Sequence, residues 1–127
     1  MKERLIEQCI ANRVEFVAYD QYQATQLSED LDREGLKPVK MTQSPAHFNE
    51  CTRDYLQEMA EGRFTSDKRD VIFRWCALNM SVKTDSAERI MPDKKHSKDK
   101  IDGAVSYLMA RRAVNLALPR LEGSLVM

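Results

Sequence analysis

The chain has 127 residues, 43% of them apolar and 31% charged, with 20 basic and 20 acidic side chains. That length suits a single domain with a modest core. No apolar run approaches the ~20 residues of a membrane span, and the opening MKERLIEQCI lacks the uninterrupted apolar stretch of a signal peptide, so a cytoplasmic protein with no membrane partner is expected.

Cys9, Cys51 and Cys76 are widely spaced and form no CxxC pair. Each falls on an apolar helical face, which predicts buried, reduced thiols and argues against zinc. The zero net charge conceals an asymmetry. Residues 1–62 hold 12 acidic and 7 basic side chains, residues 63–127 hold 8 and 13. A basic second half is compatible with a nucleic-acid backbone as partner.

Residues 2–12 read as a helix with Leu5, Ile6, Cys9 and Ile10 on one stripe. Val14 to Asp20 is β-branched and aromatic and ends in an acid, which predicts a buried strand with Asp20 at its C-terminal tip. Residues 22–34 form a second helix, with Ala24, Leu27 and Leu31 inward and Gly35 as its stop. Pro38–Met41 is a second strand. Strand, helix, strand at this spacing predicts a parallel pair with a crossover helix. Ligands gather at the carboxyl ends of such strands, where Asp20 lies; equally, Asp20 could cap the next helix.

Ser44-Pro45 opens a third helix, with Phe48, Cys51, Thr52, Tyr55, Leu56 and Met59 as its stripe and Gly62 at its close. A fourth helix is expected over about 68–79, with Val71, Ile72, Trp75 and Cys76 inward and Arg74 facing solvent or phosphate. Residues 81–84 and 89–91 flank a polar turn and predict a β-hairpin ended by Pro92. A lysine-rich segment follows, with Lys94, Lys95, Lys98 and Lys100. Then Ile101, Ala104, Val105, Leu108, Met109 and Leu116 mark a largely buried last helix with Asp102 in its first turn. A carboxylate there is favoured by the helix dipole. Asp102 and the lysines could hold a divalent metal against a phosphate; Asp99 and Asp102 could also be simple caps beside a solvated loop. The tail after residue 117 is expected to be loose.

No phosphate-binding glycine loop and no GxSxG elbow is present, and His47 and His96 are not spaced as metal ligands. What remains is acidic: Asp20 at a strand tip and Asp102 at a helix start. Two-metal phosphodiester hydrolysis uses such carboxylates, normally three or more of them, to hold magnesium or manganese.

Several segments, in order, resemble the nuclease domain of tailed-phage terminase large subunits: Tyr19-Asp20-Gln21-Tyr22-Gln23-Ala24, Arg74-Trp75-Cys76-Ala77-Leu78-Asn79, Val82-Lys83-Thr84-Asp85, Pro92-Asp93-Lys94-Lys95 and Lys100-Ile101-Asp102-Gly103-Ala104-Val105. The resemblance spans roughly residues 3–113. It implies an α/β, RNase H-like fold and a metal-dependent endonuclease that cuts viral double-stranded DNA during genome packaging. It places catalytic and metal-binding acids at Asp20 and Asp102, with Asp99 as a further metal ligand in some members, and magnesium or manganese as cofactor. Lys94, Lys95, Lys98 and Lys100 would then contact DNA.

Against that pattern the chain begins at the helix before the fourth strand. The first strands, the first acidic ligand and the ATPase motor are not in it, so residues 1–127 read as a single partial nuclease domain from a phage or prophage. An alternative reading is a catalytically impaired, prophage-derived DNA-binding or assembly module. The Val14–Tyr19 strand, interior in the implied fold, would expose an edge. That predicts a homo-oligomer formed through it, with other terminase or portal components as further partners.

Overall fold

The computed structural model describes residues 2–21, 25–97 and 99–125, with side chains placed except at residues 2 and 25 and from 118 onward. The chain divides into two compact units, one of Met1–Thr42 with Ala113–Met127, the other of Gln43–Arg112.

In the first unit, helix α1 (Lys2–Ala11) leads through a turn at Arg13, whose φ is 55°, into strand β1 (Phe16–Asp20). Helix α2 (Thr25–Arg33) crosses over to strand β2 (Lys37–Met41). The two strands are parallel, with Phe16 opposite Lys37 and Asp20 opposite Met41. A crossover helix is the ordinary means of joining parallel neighbours. Gly35 takes φ 81° just past α2. The Leu36 N–H then returns to the Leu31 carbonyl at 3.0 Å, satisfying a helix-end acceptor that would otherwise be orphaned. The core gathers Cys9, Leu31 and Leu36, with Ile6, Val17 and Leu27 packed against it.

The second unit begins with α3 (Pro45–Ala60). Ser44 is the extended cap residue, and Pro45 stands where a missing N–H costs nothing. Phe48, Cys51, Thr52 and Tyr55 are buried at helical spacing. Gly62 stops the helix at φ 70°. Helix α4 (Val71–Asn79) is capped by Asp70, whose carboxylate accepts the Phe73 N–H at 2.9 Å. Strands β3 (Val82–Thr84) and β4 (Ile90–Pro92) form an antiparallel hairpin. Asp85 organises its turn by accepting the N–H groups of Ala87 at 3.0 Å and Arg89 at 2.9 Å. Asn49 on α3 accepts the Ile90 N–H at 2.9 Å, tying hairpin to helix.

Helix α5 (Asp102–Leu125) runs through both units. Ile101, just before it, is buried together with Ala104, Val105 and Leu108 on its inward face. Gly103 allows α5 close to α4, since a Cβ there would stand 3.3 Å from the Cys76 sulfur.

The parallel pair, the crossover, the hairpin, the Gly35 and Gly62 stops and the three buried free cysteines follow the sequence expectations. The inward face of α4 does not. Val71 and Ile72 are 67% and 73% exposed and Trp75 is 46% exposed; only Cys76 of the expected stripe is buried. The helix is rotated toward Phe73, which stacks on Phe64 with ring centroids 6.0 Å apart and meets Tyr107 edge-on at 5.7 Å. Leu56, Met59 and Leu116, also expected inward, are exposed, as are Leu5 and Ile10. Helix α5 extends to Leu125. Ala24, expected in the core, lies outside the described residues. Among the described residues no helix is long and apolar enough to cross a membrane.

Candidate functional site

In the first unit Asp20 is the last residue of β1, paired in register with Met41 and half-buried. The next N–H, of Gln21, donates to the Met41 carbonyl at 3.2 Å. Parallel pairing therefore continues up to the acid, and the strand-tip position expected of it is the observed one.

In the second unit the basic segment follows β4 directly. Its start is held by a compact polar knot. Asp93 is nearly buried, and its N–H donates to the Ser81 carbonyl at 2.8 Å. One carboxylate oxygen accepts the His96 N–H at 3.1 Å and the other lies 2.8 Å from His96 Nδ1. The Ser97 hydroxyl in turn accepts the Ser81 N–H at 3.0 Å. The His96 hydrogen bonds hold the Asp93 carboxyl below the usual carboxylate range, against the opposing effect of burial. Pinned at 93 and again at 96 and 97, the chain presents Lys94 and Lys95 at an exposed bend. Lys98 lies outside the described residues; Lys100 and Asp99 are exposed, and Asp99 accepts the Lys100 N–H at 2.9 Å.

Lys94 turns toward the start of α5, and its ammonium lies 3.7 Å from an Asp102 carboxylate oxygen. Asp102 is at the helix start as expected, but its side chain is 79% exposed, not fixed by packing. The reason is angular. Ile101, Ala104, Val105 and Leu108 define the buried stripe, and residue 102 is turned about 100° from Ile101.

A divalent metal finds only part of its usual ligand set in these residues. Lys94 already faces the Asp102 carboxylate, and Asp99 binds the next N–H in the chain. Among the described residues no three His, Cys, Asp or Glu side chains come together as a metal-holding group. The described residues therefore do not form the three-carboxylate set that a two-metal centre normally requires.

The chain is thus an α/β protein with an acid at a parallel strand tip in one unit and, in the other, a basic bend meeting an acid at a helix start. The family model for the terminase large subunit, endonuclease domain, matches residues 4–116, and the chain belongs to that family. Nucleases of this family are typically metal-dependent. Protein YmfN of Escherichia coli (strain K12) is 33% identical over 93 residues, which are 72% of this chain and 20% of that protein. The crystal structure of the HK97 bacteriophage large terminase is similar with a TM-score of 0.71 at 23% identity, over 89% of this chain and 25% of that one, and shows the shared fold. The chain thus spans about a fifth to a quarter of the length of these relatives.

The pairing of two residues at the basic bend is not read from the sequence. Asp93 and His96 build the knot, and the signal was present as an acid followed three residues later by a histidine. Lys83 was visible only as part of a resembling segment. The hairpin register sets it opposite Met91, beside the same bend.

Proposed function

We propose that this chain engages double-stranded DNA as part of a terminase nuclease domain, and that Asp20 and Asp102 contribute carboxylates to phosphodiester cleavage during viral genome packaging. Lys94, Lys95, Lys98 and Lys100 hold the DNA backbone. The observation that carries this reading is the 3.7 Å approach of Lys94 to Asp102. It sets a flexible cation beside one of the expected acids, so a phosphate held by the lysine segment arrives next to a carboxylate. When the ammonium turns to that phosphate, Asp102 is released from it. The contacts are to phosphates and carry no sequence information. Magnesium or manganese is the cofactor expected for the complete centre, with Asp20, Asp102 and Asp99 as this chain's candidate ligands.

Nicking of supercoiled plasmid in manganese tests the cleavage role. Relaxed circles from the wild-type chain, and at least about tenfold fewer from Asp20→Asn, a loss on the order of 1.4 kcal/mol in transition-state stabilisation, support it. Equal nicking by both proteins overturns it. A second reading, a DNA-binding or assembly module that does not cut, is favoured by the lack of a three-ligand group among the described residues. Intact DNA binding without nicking by either protein selects that reading. The second edge of β1 meets no strand among the described residues, which supports self-association through Val14–Tyr19. Other terminase or portal components remain proposed partners on the family resemblance.

A further inference from the structure

Beside the bend that carries Lys94 and Lys95, the second unit contains a cavity of about 280 Å3 whose lining includes Lys83, Lys94, Lys95, Met91, Pro92 and Val105. Its size is near the ~300 Å3 lower bound of small-ligand pockets and many times the ~30 Å3 share of one water. A bare phosphate would leave most of it empty. The chemistry is divided. Three ammonium groups can stand at the rim, while Met91, Pro92 and Val105 supply an apolar floor. Lys83 is committed to the rim by hairpin register, because it lies directly opposite Met91 and shares its face. Asp93 also lines the cavity. One of its oxygens accepts the His96 N–H and the other lies on His96 Nδ1, while the nearby Lys83 ammonium offsets its negative charge.

We infer that this cavity takes one nucleotide of a DNA strand, with the phosphate on Lys83, Lys94 and Lys95 and the sugar and base over Met91, Pro92 and Val105. The inference rests on the DNA-engaging reading above and adds Lys83 to it. A duplex phosphate alone has no use for an apolar floor. A base reaches that floor only when it has left the stack, so the occupant is a single-stranded or unpaired nucleotide.

The test uses the full chain with a fluorescent ten-residue oligothymidylate, free thymidine monophosphate and a duplex of random sequence. Affinity is read by anisotropy, and floor occupancy by the Met91 methyl resonance. The expected result is a Met91 shift with the oligonucleotide. Lys83→Ala should weaken its binding about fivefold at low salt and lower the log–log salt slope by about 0.7, the single-strand value for one lost phosphate contact. Lys68→Ala, at an exposed lysine that does not line the cavity, should change neither. An unmoved Met91 methyl, or equal losses in the Lys83 and Lys68 variants, overturns the inference. Free thymidine monophosphate binding as tightly as the strand overturns the assignment to DNA. Duplex binding that depends on Lys94 and Lys95 but not on Lys83, with Met91 silent, overturns the pocket and leaves the broader reading intact. A Met91 shift with the strand but no duplex binding does the reverse.

Discussion

Asp93 shows how one buried carboxylate can organise an exposed basic bend. Its oxygens are turned to His96, so the exposed face of the bend is left to lysines. Its depressed pKa has a consequence for stability. The folded state binds this proton less readily than the unfolded state, so the pair stabilises the fold above the ordinary carboxylate value of 3.8. That contribution is lost as pH falls through the depressed folded value. Thermal unfolding from pH 6 down to pH 2 should show wild type above Asp93→Asn at the upper end and the two converging at the acid end. A constant gap across the range would contradict the pairing. Cys51 follows the opposite logic. Burial pushes its thiol up to about 11, so it is almost wholly protonated at pH 8. Disulfide-exchange reagents should label it only when the protein is unfolded. Labelling of the native chain within minutes would show that the site opens.

At the scale of elements, the sequence was most informative where local chemistry and tertiary packing agree. The Gly35 and Gly62 stops, the Ser44-Pro45 entry, the crossover and the hairpin each follow from backbone preferences that packing does not override. Helix α4 was misjudged because it offers two apolar faces. Val71, Ile72 and Trp75 form one, Phe73 and Cys76 another. Only the aromatic partners Phe64 and Tyr107, distant in sequence, decide which turns inward. The position of Lys83 was hidden for a similar reason, since it depends on the hairpin register, whereas the Asp93–His96 knot is local and its i, i+3 spacing alone does not say that the two side chains meet.

A mutational comparison follows from this packing. Leu108→Ala, at a fully buried position of α5, should cost ~2–5 kcal/mol. Ile72→Gln on the exposed face of α4 should cost under ~0.5 kcal/mol. Urea denaturation distinguishes the two, and a large loss for Ile72→Gln would mean that this face is covered in solution. The edge of β1 carries a separate expectation. Unmet backbone groups in apolar surroundings cost ~1–3 kcal/mol each, so a concentration-dependent dimer is expected in sedimentation. Val17→Pro, on the strand, should weaken it. A monomer at every concentration would exclude self-pairing through β1.

For the molecule as a whole, the central claim is that DNA is held at the lysine bend next to Asp102. Family membership and the shared terminase fold set the class of substrate proposed; the Lys94–Asp102 approach sets the place. Asp20 and Asp102 were legible as a strand-tip acid and a helix-start acid, and the structure places each at the element end expected of it. The most direct measurement is duplex binding by the full chain against salt concentration, for wild type and for Lys94→Glu/Lys95→Glu. Wild type should bind without regard to sequence and weaken steeply with salt. The double variant should bind at least about tenfold more weakly at low salt, with its log–log slope smaller by about two, as two phosphate contacts require. A double variant that binds duplex with wild-type affinity and slope would contradict the claim.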